Sequence, residues 1–261
     1  RFRSGEVLIA QIMNPKLSET GPHRSREFGI IAGNPKRNKK MTNPETNVCD
    51  IVACIKKPRA AFTKADIKKF IKAQGIRHVN FMYPGGDGRL KTLNFVLNDE
   101  AYLDEILSCG ERVDGSSLFK FIEANNSDLY VVPRFRTAYI DPFCELPTVN
   151  FLCSFFNKDG EPLASSPEYT LHKACEAFKK TTGMEFQAMG ELEYYVIAPD
   201  SEMFPATDQR GYHESAPYAK FNEFRTQCMQ YIASCGGQIK YGHSEVGNFT
   251  LGDLNYEQNE I

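Results

Sequence analysis

The strongest constraint on the fold lies between residues 63 and 97, where a helix signal and two alternating segments follow one another with no room for a long connection. Thr63 precedes Asp66 by three residues, the spacing of a capping box; Ile67, Phe70 and Ile71 fall at i, i+3 and i+4; Gly75 supplies a left-handed stop. This predicts a helix over 64–74. Val79, Phe81 and Tyr83 then alternate with His78, Asn80 and Met82, the stretch Pro84-Gly85-Gly86-Asp87-Gly88 makes a turn, and Leu93, Phe95 and Leu97 alternate again. The expectation is a β-hairpin packed on a helix. A short helix near 100–107, Gly110, and strands at 130–132 and 137–140 complete a small α+β domain that closes near Pro147.

Residues 1–61 lack this periodicity. They carry Pro15, Pro22, Pro35, Pro44 and Pro58, the run Lys36-Arg37-Asn38-Lys39-Lys40, and one strand-like stretch, 48–55, so an irregular tail is expected, with Met41 a candidate natural start. Residues 1–40 hold nine Lys/Arg against three Asp/Glu, yet the whole chain has a net charge of −2, so the basic excess is local and a nucleic-acid partner is not expected. No stretch approaches the roughly 18 apolar residues of a membrane span. The eight cysteines form no C-x-x-C pair and no signal-peptide pattern precedes them, which points to reduced, mostly buried thiols in a cytoplasmic protein.

From 148 onward, strand and helix signals continue: a strand at 151–156, a helix started by Ser166-Pro167 and stopped by Gly183, a long strand over 185–198, a helix at 221–234, and strands at 238–241 and 256–261. Within the long strand, Glu191 and Glu193 are two residues apart, which sets both carboxylates on one face with Cα atoms roughly 6.6–7 Å apart. Solvent surface is the bland explanation. Glu245, expected just after the 238–241 strand, and Glu260, in the last strand, change it, since three strands then deliver carboxylates toward one cavity. Carboxylates without a cysteine or histidine cluster select Mg²⁺ or Mn²⁺ over Zn²⁺, and such ions serve phosphoryl transfer from a nucleotide.

Six segments, in order and approximate spacing, resemble the signatures of glutamine synthetase: Val113-Asp114-Gly115-Ser116-Ser117, Ile140-Asp141-Pro142-Phe143, Gly190-Glu191-Leu192-Glu193-Tyr194, Gly211-Tyr212, His243-Ser244-Glu245-Val246 and Gln258-Asn259-Glu260-Ile261. The resemblance runs from about Phe62 to the last residue. It implies a β-grasp-like N-terminal domain at 62–147 followed, at 148–261, by the start of a catalytic domain built on a curved antiparallel sheet with helices. It also implies self-association into rings, twelve subunits being common, with active sites between neighbours. The reaction it implies joins ammonium to glutamate at the expense of ATP, through a γ-glutamyl phosphate and with two divalent metals. Carried over by motif, Glu193, Glu245 and Glu260 hold the first metal and Glu191 the second. Asp114 and Ser117 reach into the adjacent subunit's site, where Asp114 binds ammonium and takes its proton, with Tyr212 and Glu245 nearby and His243 approaching the substrate.

Glu245 and Glu260 are fifteen residues apart, about twice the family's usual spacing, so 247–257 reads as an inserted loop, and Ser244 stands where the family often has His. Arg134 and Arg136 read as solvated surface. The family's downstream substrate loop, its further metal ligands and its arginines are not in these 261 residues, so the polypeptide alone is expected to be inactive and poorly soluble. Two other readings stand beside the ammonium ligase. One is a ligase joining glutamate to a polyamine or other amine, which the retained Asp114 disfavours. The other is a catalytically silent structural or regulatory relative, which the retained carboxylates disfavour.

Overall fold

A computed structural model describes residues 49–261; Met41 and the basic run at 36–40 lie outside the described residues. Among the described residues the chain forms two compact units, one of residues 49–188 with 234–236, the other of residues 189–233 with 237–261.

The first unit opens with a helix α1 (Asp50–Ile55), where the sequence suggested a strand in a tail. Its Ile51 is buried with Cys49 in the main core, and Val52 and Ile55 pack against that core, so residues 49–55 belong to the domain. Helix α2 (Lys64–Ala73) starts as expected: the Thr63 side chain accepts from the Asp66 amide and the Asp66 carboxylate accepts from the Thr63 amide. The hairpin of β1 (His78–Pro84) and β2 (Leu90–Val96) follows, then α3 (Glu100–Cys109), β3 (Glu111–Asp114), the single turn α4 (Gly115–Leu118), β4 (Asp128–Pro133), the short β5 (Tyr139–Ile140), β6 (Thr148–Asn157) and α5 (Pro167–Thr182). Gly110 ends α3 at φ +71°, and a Cβ there would lie 2.3 Å from the Val131 carbonyl oxygen, so the chain can pass β4 only as glycine.

The sheet runs β2-β1-β6-β4-β3, with β5 also on β6. β1 and β6 are parallel, and the other pairs are antiparallel. The central position of β6 corrects the boundary expected near Pro147: this strand lies beyond it in sequence but bonds to β1, β4 and β5, so the first unit continues to Ala188. One face carries Val79, Phe81, Tyr83, Phe151 and Phe155 onto Ile67, Phe70 and Ile71 of α2 and Leu103, Ile106 and Leu107 of α3. On the other face the exposed Asn94 amide donates to Asn80, Asn80 to Asn150 and Asn150 to Asp141, so the buried amides of Asn80 and Asn150 are satisfied across three strands and fix the β1/β6 register.

The α2 cap makes a pH prediction. The Asp66 carboxyl is held down, from 3.8 to about 2, first by the Lys57 ammonium and then by Thr63. Because the folded value lies below the unfolded one, the contribution of the cap is fully present above pH 3.8 and is lost as pH falls through about 2. An NMR titration of the Asp66 carboxyl carbon should give a midpoint near 2; a midpoint near 3.8 would mean the cap and ion pair do not form in solution.

The second unit is built on a three-stranded antiparallel sheet, β7 (Glu193–Pro199), β8 (His243–Leu251) and β9 (Leu254–Glu260), in the order β7-β9-β8, with helix α6 (Asn222–Ser234). The strand expected over 185–198 starts only at Glu193, and the one expected at 238–241 is replaced by β8, which begins at His243. The inserted loop expected at 247–257 is not a loop: it lengthens β8 and β9 into a hairpin turning at 252–253.

β9 alternates strictly. Asn255, Glu257 and Asn259 are buried, and the residues between them are not. This buried face is polar rather than apolar. The Glu257 carboxylate accepts from the amides of Lys220 and Phe221 at 2.8 and 3.2 Å, Lys220 Nζ donates to Asn255 Oδ1 at 2.7 Å, and the Arg225 guanidinium donates to Asn259. The start of α6 is thereby tied to β9, and the opposite face of β9 is left for the site.

Candidate active site

β9 lies between its two neighbours, and the pairing register sets Glu193, Glu260 and His243 in one line across β7, β9 and β8. Residues directly opposed in antiparallel strands project from the same face, so backbone pairing alone brings these three together. A register shift between Ser244 and Asn248 then turns Glu245 toward them. His243 Nδ1 is 3.8 Å from Glu245 Oε1 and its Nε2 is 3.8 Å from Glu260 Oε2, with the imidazole 11% and both carboxylates 17% exposed. One ligand atom from each of His243, Glu245 and Glu260 lies within 4.8 Å of the others.

Glu191 sits just before β7, on exposed chain, where Leu192 and Ile261 exchange both backbone hydrogen bonds. Its charge is nevertheless felt at the cluster. The Glu260 carboxyl is pushed up first by burial, with His243 opposing and Glu191, Glu245 and Glu193 adding to the rise. Four carboxylates thus bear on one point. Tyr212 lies in a loop that runs beside β8, where the amides of Gly211 and His213 donate to the carbonyls of Val246 and Ser244. Its ring stacks on His213 at 4.1 Å and meets His243 edge-on at 5.3 Å.

Two residues of the cluster escaped the sequence argument. Gln258 donates from Nε2 to Glu193 Oε2 at 2.7 Å, and the signal that would have found it is its position two residues before Glu260 on the same strand face. His213 packs 4.4 Å from His243, and only its adjacency to Tyr212 hinted at it.

Among the described residues, a single histidine stands with the carboxylates. His243 is inside the group because its strand partner is Glu260. The donor set still fits a divalent cation: carboxylate oxygens and an imidazole nitrogen gathered within 4.8 Å, with mutual carboxylate repulsion for a cation to relieve. One nitrogen among oxygens suits Mn²⁺ better than a purely oxygen-seeking Mg²⁺.

Asp114 and Ser117 belong to the first unit. The Asp114 carboxylate accepts from the Ser117 hydroxyl at 2.6 Å, the Ser116 hydroxyl at 2.7 Å and the Ser116 amide at 3.0 Å. These bonds, led by Ser117, hold its carboxyl well below the usual carboxylate range. Arg134, expected to be solvated, is instead partly buried, and burial draws its guanidinium value down, while its Nε donates to the Leu152 carbonyl at 3.4 Å.

Residues 75–158 match the glutamine synthetase β-grasp domain. The glutamine synthetase of Staphylococcus epidermidis is 25% identical over 194 residues, covering 72% of this chain and 43% of the relative, and that of Staphylococcus aureus is 24% identical over the same shares. The chain thus spans less than half the length of the curated relatives it matches. Among solved structures, Plasmodium falciparum glutamine synthetase superposes with a TM-score of 0.58 at 16% identity, over 77% of this chain and 44% of that one. A second, apo GmaS, gives 0.56 at 10% identity over 76% and 45%, and at these identities both speak for the fold alone. The β-grasp match, the curated relatives and the shared α+β fold together support reading this chain as an N-terminal portion of the glutamine synthetase family.

Proposed function

We propose that this chain supplies part of the active site of an ATP-dependent ligase that joins ammonium to the side-chain carboxylate of glutamate. The observation that carries the reading is the single line of Glu193, Glu260 and His243 across three strands, with Glu245 turned into it. Glu193, Glu245 and Glu260 hold one divalent cation and Glu191 contributes to a second, with His243 at the shared edge. When bound, such cations offset the phosphate charge of ATP while the glutamate oxygen attacks the γ-phosphorus and ADP departs. Nitrogen then attacks the resulting γ-glutamyl phosphate, and phosphate leaves.

In this reading Asp114 and Ser117 act in the site of an adjacent subunit of a homo-oligomeric ring. The three hydrogen bonds accepted by Asp114 favour its ionised form, which makes it a strong attractor of ammonium. Tyr212, against His243, closes one side of the cluster. Among the described residues no helix is long and apolar enough to cross a membrane.

The test is ATP-, Mn²⁺- and ammonium-dependent glutamine formation by the full-length protein, compared with residues 1–261 alone. Turnover is expected from the former and none from the latter. A full-length protein that binds Mn²⁺ without releasing ADP would favour a silent relative, and turnover by the 261 residues would overturn the view that they are only part of the site.

A further inference from the structure

Three residues of β8, Glu245, Val246 and Gly247, stand opposite one residue of β9, Gln258, since Ser244 pairs with Asn259 and Asn248 with Glu257. Such a mismatch takes backbone groups out of the ladder. Two of the amides concerned are taken up by side chains instead. The Val246 amide donates to Glu245 Oε2 at 2.8 Å, and the Gly247 amide donates to Gln258 Oε1 at 3.1 Å. Gly247 is buried, so water does not readily replace a lost partner there.

The other end of the same Gln258 amide reaches β7, where Nε2 donates to Glu193 Oε2 at 2.7 Å. A carboxylate only accepts and a backbone N–H only donates, so the amide fits between Glu193 and Gly247 one way round. A glutamate at 258 would keep Gly247 and lose Glu193, and an apolar side chain would lose both. The Tyr195 hydroxyl makes a long third contact with Oε1, at 3.5 Å.

Both bonds bear on proposed metal ligands. Glu193 is exposed at the start of β7, where a carboxylate turns freely unless held; with Oε2 engaged by Gln258, Oε1 is left for a cation. Glu245 has its Oε2 on the Val246 amide and its Oε1 3.8 Å from His243 Nδ1, an arrangement that lasts only while the shifted segment keeps its shape. The bond from Gly247 to Gln258 closes that segment onto β9. Glycine is needed there for space: a Cβ would lie 2.3 Å from the Tyr195 hydroxyl and 2.6 Å from Gln258 Oε1.

We propose that Gln258 is a positioning residue of the cation site, one amide that holds Glu193 directly and Glu245 through Gly247. The role rests on the reading of Glu193, Glu245 and Glu260 as metal ligands given above.

In the full-length protein, Gln258→Met should weaken Mn²⁺ binding, followed by electron paramagnetic resonance, by about tenfold or more, as expected when a group that orients a ligand is lost. Gly247→Ala, which leaves Gln258 in the chain but displaces its side chain, should weaken binding by about threefold or more. Tyr195→Phe, which removes only the long contact, should stay within about twofold. If Gln258 acts through Glu193, the two are coupled: in a Glu193→Gln background, Gln258→Met should cost at most about threefold. A merely structural glutamine would cost the same factor in both backgrounds. That equality, or unchanged binding in both Gln258→Met and Gly247→Ala, would overturn the positioning role. Glu193→Gln and Glu260→Gln variants that bind Mn²⁺ as tightly as the unaltered protein would sink the metal reading itself, and the positioning role with it.

Discussion

Phe151→Ala is expected to destabilise the first unit by about 3–5 kcal/mol, the range for removing a fully buried aromatic ring. Phe151 is wholly buried on β6, the strand that bonds to β1, β4 and β5, and its ring meets Phe81 edge-on at 6.1 Å and Phe135 at 6.4 Å. Truncation leaves a void between the sheet's central strand and its helices, where neither neighbour can collapse without breaking its own pairing. Phe151→Leu keeps most of the volume and should cost roughly half as much or less. Val96→Ala, on the edge strand at 59% exposure, should stay within about 0.5 kcal/mol. Hydrogen exchange of the β1 and β6 amides against urea measures all three. A loss below about 1 kcal/mol for Phe151→Ala would mean that β6 is not the centre of this core.

What could be read from the sequence was local. The Thr63/Asp66 box, the glycine stop at 75 and the β1/β2 alternation each depend on residues a few positions apart, and each forms as expected. What could not be read depended on distant partners. Residues 48–55 are rich in β-formers, but burial of Ile51 against the core favours a helix over the propensity of an isolated strand. β6 was assigned to the wrong side of a domain boundary because its parallel partner β1 lies some seventy residues back, a pairing with no turn signal. In the site, the acids themselves were legible from the i, i+2 spacing of Glu191 and Glu193 and from the family motifs. The motif put His243 near the substrate, but its strand pairing with Glu260 was hidden, because the fifteen-residue separation of Glu245 and Glu260 read as a loop. The long hairpin resolves that separation, since added residues enter both strands and leave the cluster's end of the pairing in place.

Replacing Glu260 with Gln should lower Mn²⁺ affinity roughly a hundredfold, a difference of about 2.7 kcal/mol, while leaving the metal-free protein as stable as before or more so. The two effects have opposite signs for one reason. In the absence of a cation the ionised Glu260 is disfavoured by burial and by Glu191, Glu245 and Glu193, with only His243 opposing. An amide of the same shape removes that repulsion and can still meet His243. With a cation present, the same crowding of negative charge becomes the source of affinity, and the amide forfeits it. A merely structural carboxylate shows a different pattern: Glu257→Gln, on the buried face where the carboxylate accepts two backbone amides, should reduce stability without metal and affect Mn²⁺ affinity far less. Glu223→Gln, exposed in the first turn of α6, should change neither. Thermal melts with and without Mn²⁺, together with Mn²⁺ binding followed by electron paramagnetic resonance, separate the three variants. If Glu260→Gln and Glu193→Gln both bind Mn²⁺ as the unaltered chain does, the line of residues across β7, β9 and β8 is a charged surface and not a metal centre.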